Sequence, residues 1–277
     1  MAELLTATGL EVTYGGGASL FGPLPGVKVL HGIDITINRG ETVGIVGESG
    51  SGKTTLGRAL LRLIETSSGK ITFDGQDITH LPDARMRPLR RRMQMIFQDP
   101  MASLNPRHSI RRILTEPLFL HGMAHDRSAA EALVRQMLDR VKLSAVVLDR
   151  NPHELSGGQR QRIGIARAAL LRPDFVLADE IVSGLDVSTQ AQALNLLKEL
   201  SRDMGLSMAF ISHDLSVIRA ICDRVYVLRY GKIVEHGPCD TVFSNPQSDY
   251  TRALLDAIPL PEINPDWLNG PALGDAA

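Results

Sequence analysis

The chain alternates between short apolar runs and longer segments in which apolar residues recur at helical spacing. Three runs, at 42–46, 174–180 and 207–211, are apolar over most of their length, which is typical of strands buried on both faces of a parallel sheet. Residues 190–204 predict an amphipathic helix, and Gly205 follows as its C-cap. This alternation predicts an α/β fold with a mainly parallel sheet and helices on both faces.

Further segments predict additional strands. Residues 10–14 and 32–37 are β-like, the second with period-two alternation, and a Gly/Pro-rich loop is predicted between them at 15–26. Residues 224–235 predict a hairpin that turns near residue 230.

The stretch from residue 98 to about residue 167 has a helical texture and is expected to form a lobe beside the sheet. Within it, Ser128 and Glu131 have the spacing of a capping box at a helix start. Just before it, the arginines of residues 85–92 favour a solvated helix face.

A glycine-rich motif directly after the first apolar run carries the strongest chemical signal. Its sequence, Gly-Glu-Ser-Gly-Ser-Gly-Lys-Thr-Thr, is typical of a loop whose backbone N–H groups surround a phosphate. Lys53 is expected to reach the β- and γ-phosphate oxygens, and the Thr54 hydroxyl is a candidate Mg²⁺ ligand. A helix starting at Thr54 adds its positive dipole end to the same phosphates. The candidate binding residues are Gly47, Ser49, Gly50, Ser51, Gly52, Lys53, Thr54 and Thr55.

Two acids close the apolar run at 174–180. Asp179 is expected to hold Mg²⁺, and Glu180 is expected to polarise the water that attacks the nucleotide. Acids at a strand end are common by themselves, but the phosphate loop upstream favours the catalytic interpretation.

A second glycine motif, Leu-Ser-Gly-Gly-Gln, contributes Ser156, Gly157, Gly158 and Gln159. Paired glycines at a helix start expose backbone N–H groups to a phosphate, and Ser156 adds a hydroxyl donor. Because the chain already has a phosphate loop of its own, a second phosphate-binding motif makes sense if it serves the ATP of another molecule.

Together these motifs resemble the nucleotide-binding subunit of an ABC transporter, and the resemblance covers about residues 10–255. It implies that Tyr14 stacks on adenine and that Gln98 senses Mg²⁺ and the nucleophilic water. It also implies that Asp186 couples the two sites of a dimer and that His213 contacts the γ-phosphate. ATP and Mg²⁺ are the implied cofactors, bound in a head-to-tail dimer that hydrolyses ATP.

The resemblance implies a P-loop NTPase (RecA-like) core with a mainly parallel sheet, an antiparallel β subdomain and an inserted α-helical subdomain. The nucleotide-binding domain is predicted over 1–250, with its catalytic core at 1–98 and 168–240 and its helical subdomain at 99–167. A C-terminal extension, 241–277, ends in a Pro-rich stretch that is expected to be loosely ordered.

Local strings at 97–106, 185–192 and 245–255 are similar to the peptide/nickel/opine importer branch of this family. The chain departs from that branch at Ser248-Asp249, where His-Pro is usual. The long loop before Val29 and the short tail are similar to the second ATPase of oligopeptide and dipeptide importers. The implied function is to power uptake of peptides or related small solutes; import of nickel, opines or glutathione, and a non-transport ABC ATPase, are the alternatives.

The branch implies a set of partners. They are two membrane permease subunits, a second, paralogous ATPase subunit, and an extracytoplasmic solute-binding protein that acts through the permeases. Residues 99–112 are expected to form the groove that receives a permease helix. The cargo, the identity of the second ATPase and the number of hydrolysing sites stay open.

Composition limits the partners and the location. The 277 residues carry a formal net charge of −1, which does not favour nucleic acid as a partner. No apolar stretch approaches the roughly 18 residues of a membrane span, and the N-terminus lacks the basic region of a signal peptide. Cys222 and Cys239 lack metal-ligand spacing and favour a reduced setting. These features predict a soluble cytoplasmic protein, and the resemblance to importer ATPases implies a peripheral position on the cytoplasmic face of the inner membrane.

Other classes of ATPase share this phosphate-binding chemistry. Chromosome-maintenance and DNA-repair ATPases insert long coiled coils between the two motifs, whereas only 57 residues separate Gln98 from Ser156 here. Translation factors of the superfamily usually carry two such domains in one chain. A scaffold that binds ATP without hydrolysing it is disfavoured by the intact Glu180 and His213.

Overall fold

Strands from the whole length of the chain assemble into two sheets in the computed structural model, which describes residues 2–19, 22–184 and 186–257. The strands are β1 (Glu3–Ser19), β2 (Gly22–Asn38), β3 (Thr42–Val46), β4 (Ser68–Phe73), β5 (Gln76–Asp77), β6 (Met93–Ile96), β7 (Phe175–Asp179), β8 (Ser207–Ile211), β9 (Arg224–Arg229) and β10 (Lys232–Pro238). The six-stranded sheet has the order β10-β9-β3-β8-β7-β6. Its neighbours pair in parallel, except that β10 is antiparallel to β9.

The helices fall mostly after the first phosphate-binding motif. They are α1 (Lys53–Leu60), α2 (Asp83–Arg92), α3 (Pro100–Ser103), α4 (Ile110–Leu120), α5 (Arg127–Arg140), α6 (Gly157–Leu170), α7 (Val187–Met204), α8 (Leu215–Ile221), α9 (Cys239–Ser244) and α10 (Asp249–Asp256), with short 3₁₀ helices at Ala145–Asp149 and Pro152–Glu154. Helices α3 to α6 lie between β6 and β7 in sequence, as the predicted helical insert requires. Within the described part of the chain, no helix is both long enough and apolar enough to cross a membrane.

The parallel sheet separates two hydrophobic cores. On one face, Val43 and Ile45 of β3 join the core formed with β1, β2, β4 and α1. On the other face, Val46, Val176 and Phe210 join the core formed with helices α4 to α7. Because successive side chains of a strand point to opposite faces, each central strand serves both cores. The fully buried runs β3, β7 and β8 confirm the sequence-based prediction of buried parallel strands.

The second sheet corrects the prediction of a loop at 15–26. This sheet is antiparallel with the order β2-β1-β4-β5, and the β1–β2 pairing continues from Tyr14 opposite Val27 to Ser19 opposite Gly22. The described residues of this stretch, 15–19 and 22–26, therefore belong to a long hairpin. A ladder uses backbone groups, so it does not require β-forming side chains, and β2 lies at the edge of the sheet, where prolines are tolerated.

Two predictions about helix ends have opposite outcomes. Gly205 does cap α7, with a left-handed φ of 64°. The capping box at Ser128 is wrong, because the N-cap of α5 is Asp126, whose carboxylate accepts a hydrogen bond from the amide of Ala129. Asp126 is an equally good cap two residues earlier, and it leaves Glu131 to pair with Arg111.

The arginines of α2 are only partly a solvated face. Arg85 and Arg87 are exposed as expected, but Arg90 donates hydrogen bonds to the carbonyl oxygens of Leu61 and Arg62 at the end of α1. Arg92 lies over the Phe73 ring and pairs with Asp74 and Asp174. These arginines tie the two sheets and α1 together.

Candidate nucleotide-binding and hydrolysis site

The loop between β3 and α1 has a backbone that demands glycine. Gly47 has a φ of 148° and Gly52 a φ of 104°, a region that side chains with a Cβ rarely adopt. A Cβ on Gly47 would lie 2.1 Å from the carbonyl oxygen of Leu228, and one on Gly52 would lie 3.0 Å from the Leu30 side chain. The loop therefore has a fixed path, and its N–H groups precede the N-terminus of α1.

Lys53 is buried within this loop. Its Nζ atom donates hydrogen bonds of 2.8 Å to the carbonyl oxygens of Gly47 and Glu48. Burial lowers the pKa of Lys53, and the carboxylates of Glu180 and Asp179 oppose that shift. A desolvated ammonium with these contacts is well suited to bind phosphate oxygens.

Ser51 supplies a further polar group inside the same loop. Its hydroxyl is buried and has no hydrogen-bond partner among the described residues. An unpartnered hydroxyl of this kind is costly unless it serves a ligand or another polar group. The glycine path, the Lys53 ammonium and this hydroxyl fit the phosphates of a nucleotide.

Thr54 and Asp179 meet at the carboxyl edge of the sheet. The Thr54 hydroxyl donates to the Asp179 carboxylate at 3.2 Å. Burial raises the pKa of Asp179, while the hydrogen bond from Thr54 acts in the opposite direction. The described residues contain no group of three or more histidine, cysteine or acidic side chains that could hold a metal ion. Two oxygen ligands are sufficient for Mg²⁺ when phosphate oxygens and water complete the coordination, so the donor set fits this ion.

The three residues expected to be catalytic lie together. The Gln98 amide donates a hydrogen bond of 3.0 Å to one Glu180 carboxylate oxygen. His213 Nδ1 lies 3.7 Å from the other oxygen. The Glu180 amide donates to the Ile211 carbonyl oxygen at 2.9 Å, which ties the end of β7 to the end of β8. The carboxyl ends of three parallel strands, β6, β7 and β8, therefore bring these side chains to one place.

Tyr14 is adjacent to the loop, at the point where β1 passes α1. Its hydroxyl lies 3.5 Å from the Thr55 hydroxyl, and the residue is 42% exposed. Ser49 and Gly50 are exposed at the tip of the loop. An exposed ring beside a phosphate loop can stack on a base.

The second glycine motif is not part of this cluster. Ser156 is the N-cap of α6, and it forms a reciprocal capping box with Gln159. Ser156 and Gly157 are exposed, and none of the described hydrogen bonds joins the motif to the phosphate loop. Gly158 instead approaches α7, because a Cβ on it would lie 3.0 Å from the methyl group of Thr189.

Asp186 caps the helix that Gly158 approaches. Its carboxylate accepts hydrogen bonds from the Thr189 amide at 2.9 Å and from the Thr189 hydroxyl at 2.7 Å. The hydroxyl bond is the main cause of the lowered pKa of Asp186. Asp186 is exposed and makes no described contact with the phosphate loop.

Sequence reasoning missed three residues that shape the site. The Gly231 amide donates to the Ser51 carbonyl oxygen, and the Tyr250 hydroxyl accepts the amide of Glu48. Arg58, on α1, lines a cleft of about 730 Å³ beside Thr54 and Asp179. Arg58 follows Lys53 on the predicted helix, so a helical projection could have found it. No local pattern could have found Gly231 or Tyr250, because their contacts are far apart in sequence.

Comparisons with known proteins agree with this geometry. The model of the family described as "ABC transporter" matches residues 30–183. A putative peptide import ATP-binding protein of Brucella ovis is 54% identical over 236 residues, 85% of this chain and 74% of the relative. The oligopeptide transport ATP-binding protein AmiF of Streptococcus pneumoniae is 48% identical over 261 residues, 94% of this chain and 83% of the relative.

A solved structure supports the same assignment. The ATP-binding cassette MJ0796, in a dimeric post-hydrolysis state bound to ADP and Pi, superposes with a TM-score of 0.76 at 26% identity and covers 85% of this chain and 99% of its own. The predicted fold and the predicted resemblance to peptide importer ATPases are thereby confirmed, as is the expectation of an ATP-binding ATPase. The chain belongs to the ABC transporter family.

Proposed function

We propose that this chain is the ATP-hydrolysing motor subunit of a multi-subunit importer for peptides or related small solutes. The relatives named as peptide import and oligopeptide transport ATP-binding proteins support this cargo class. The observation that carries the motor function is the position of Glu180 between Gln98 and His213, at the strand ends beside the phosphate loop.

The residue roles in this proposal follow from that geometry. Glu180 orients and polarises the attacking water, because its two carboxylate oxygens are already held towards Gln98 and His213. Lys53 and the amides of the loop bind the β- and γ-phosphates. Thr54 and Asp179 would hold Mg²⁺, which neutralises charge on the phosphate oxygens. Gln98 would contact both the Mg²⁺ held by Thr54 and Asp179 and the attacking water.

The exposed position of Ser156 and Gly157 supports assembly with a second ATPase subunit. In a head-to-tail dimer, the motif of one subunit caps the ATP on the phosphate loop of the other, and Asp186 lies between the two sites. Each site is then incomplete in the monomer. We assign the catalytic core to 1–98 and 168–240, the helical subdomain to 99–167 and the extension to 241–277.

The cleft beside α1 supports docking of a permease. Exposed Leu63, Phe97 and Leu120 line it, and such apolar side chains around one concavity are typical of an interaction site. Arg58, Arg90 and Arg167 line it too, together with Asp99 of the predicted permease groove.

The cleft is also continuous with the catalytic cluster. Thr54, Gln98 and Asp179 form part of its wall, so a permease segment in the cleft would contact residues of the ATP site. The importer would place this subunit on the cytoplasmic face of the membrane, with a solute-binding protein on the other side.

Affinity purification of the tagged chain from its native membranes, followed by mass spectrometry, tests the importer function. Recovery of two multi-span permeases and a second ATPase is the expected result. The solute-binding protein associated with those permeases then identifies the cargo. Recovery of soluble partners or nucleic acid without any permease would contradict the transport function and leave the ATPase chemistry standing.

A further inference from the structure

One peptide group of the phosphate loop is held at both of its polar ends. The peptide between Gly47 and Glu48 presents its carbonyl oxygen to the Lys53 ammonium at 2.8 Å. It presents its N–H to the hydroxyl oxygen of Tyr250 at 3.0 Å. Tyr250 lies on α10, so this bond spans 202 positions of sequence.

Tyr250 is itself firmly placed. Only 7% of it is exposed, and the Arg229 guanidinium lies 4.7 Å from the centre of its ring. The turn that leads into α10 is anchored as well, because the Glu235 carboxylate accepts the amides of Gln247 and Ser248. The hydroxyl therefore approaches the loop from a fixed direction.

Contacts from β9 and the turn after it restrict the path of the phosphate loop around that peptide. The Leu228 carbonyl oxygen blocks a Cβ at Gly47, and the Gly231 amide holds the Ser51 carbonyl oxygen at 2.9 Å. Strand β9, the turn after it and α10 thus form one wall behind the loop. Tyr250 supplies the only described side-chain hydrogen bond to a loop amide from this wall.

We propose that Tyr250 is a positioning residue for ATP binding. By fixing the Gly47–Glu48 peptide, it fixes the carbonyl oxygen that orients the Lys53 ammonium, and so α10 forms part of the nucleotide site. This inference rests on the proposed assignment of the phosphate loop to the triphosphate. Without the hydroxyl, the Glu48 amide loses its acceptor and the peptide can rotate away from its binding orientation.

Tyr250→Phe tests this, because it removes the hydroxyl and keeps the ring against Arg229. Loss of one hydrogen bond predicts a roughly three- to tenfold weaker ATP affinity. We expect the KM for ATP to rise by the same factor, with kcat within about twofold of the wild type, because Glu180, Gln98 and His213 are untouched. Equilibrium binding of a fluorescent ATP analogue to the purified full chain and steady-state hydrolysis give these quantities.

Tyr226→Phe is the matched control. Its buried hydroxyl bonds the Thr36 backbone and the Arg224 guanidinium, in β2 and β9, and makes no described contact with the phosphate loop. It should lower the melting temperature at least as much as Tyr250→Phe while leaving ATP affinity unchanged. An ATP affinity that falls equally in both variants would show that Tyr250 acts only through stability, and would overturn the proposal.

Lys53→Ala distinguishes failure of the positioning role of Tyr250 from failure of the phosphate-loop assignment. If it abolishes ATP binding while Tyr250→Phe binds ATP as tightly as the wild type, the positioning role is wrong and the assignment of the loop stands. If Lys53→Ala also binds ATP normally, the loop assignment fails, and the inference about Tyr250 fails with it.

Discussion

At the scale of single residues, the backbone conformation of Glu180 bears directly on its proposed catalytic role. Its φ of 48° is left-handed, which costs a residue with a Cβ about 1 kcal/mol. Two hydrogen bonds maintain this conformation: the Glu180 amide donates to the Ile211 carbonyl oxygen, and the Ser183 hydroxyl donates to the Glu180 carbonyl oxygen. This conformation ends β7, and the Glu180 carboxylate lies beside Gln98 and His213.

Glu180→Gln should therefore separate binding from turnover. The amide has nearly the same shape but cannot accept the proton of the attacking water, so ATP hydrolysis should fall by about 10²- to 10⁴-fold. ATP affinity should stay within a few-fold of the wild type. Phosphate release and equilibrium binding measure the two quantities. Glu199→Gln, on the exposed face of α7, is the control and should hydrolyse ATP normally. Undiminished turnover in Glu180→Gln would remove Glu180 from the catalytic role.

Asp179 should weaken the fold in the absence of nucleotide. Its pKa is raised by burial, so the native state binds a proton more tightly than the unfolded chain does. Unfolding free energy then falls as pH rises from the ordinary value of 3.8 through the raised value. Asp179→Asn should be more stable than the wild type near pH 7, with the difference closing as pH falls towards 4. Urea unfolding across pH measures it.

Asp74→Asn is a control with the opposite sign. The hydrogen bond from Arg92 is the main cause of the lowered pKa of Asp74, so its charged form stabilises the native state. That stability is present at neutral pH and is lost as pH falls through the lowered pKa. The variant should be less stable than the wild type near pH 7, with the difference closing at low pH. If both variants shift stability in the same direction, the assignment of Asp179 as a carboxylate destabilised by burial is contradicted.

At the scale of elements, the N-terminus of α6 has two roles that can be separated. Ser156 caps the helix through the Gln159 amide, and the same hydroxyl is proposed to bind the partner's ATP. Ser156→Asp should keep the cap, since aspartate caps as well as serine, so unfolding free energy should change by less than about 0.5 kcal/mol. Its negative charge should repel the γ-phosphate of the partner's ATP.

The expected result is loss of ATP-dependent dimerisation in a stable monomer. Size-exclusion chromatography with ATP, in the Glu180→Gln background to prevent turnover, measures it. Ser144→Asp is the control, because Ser144 also caps a short helix, through the Val146 amide, but lies outside the glycine motif. A Ser156→Asp variant that still dimerises with ATP would contradict the head-to-tail arrangement.

The helices and strands also show which parts of the fold could be predicted from the sequence. Strands such as β8 were predicted to the residue, because a fully buried run ends where polarity begins. The β1–β2 hairpin was only half predicted, because its distal pairing depends on backbone groups that leave no pattern in the side chains. Glu180 could be predicted from its place at the end of an apolar run, whereas Gln98 and His213 were predicted only from the resemblance to ABC transporter subunits. Tyr250 could not be predicted, because its partner lies 202 residues away.

At the scale of the whole molecule, the parallel sheet connects the ATP site with the proposed permease cleft. Gln98 lines the cleft and also donates to Glu180. On the helical side, Arg167 of α6 holds the Ser103 carbonyl oxygen at the end of α3. A segment seated in the cleft would therefore contact the helical lobe, helix α1 and the catalytic residue Gln98. Coupling between transport and hydrolysis requires a contact of this kind, in which two sites bias one element.

Leu120→Asp should break the assembly and leave the subunit intact. Leu120 lines the cleft and is 59% exposed, so the monomer loses little, whereas burial of a leucine against a permease contributes ~1.5–3 kcal/mol. Association should weaken by about ten- to a hundredfold, measured as permease recovered with the tagged subunit from membranes. Val146→Asp is the matched control, since Val146 is 65% exposed on the helical lobe and does not line the cleft. The proposed docking surface requires that ATP hydrolysis by the purified subunit stay normal in both variants while only Leu120→Asp loses the permeases. Equal loss of the permeases in both variants would contradict docking in the cleft, because Val146 lies outside it.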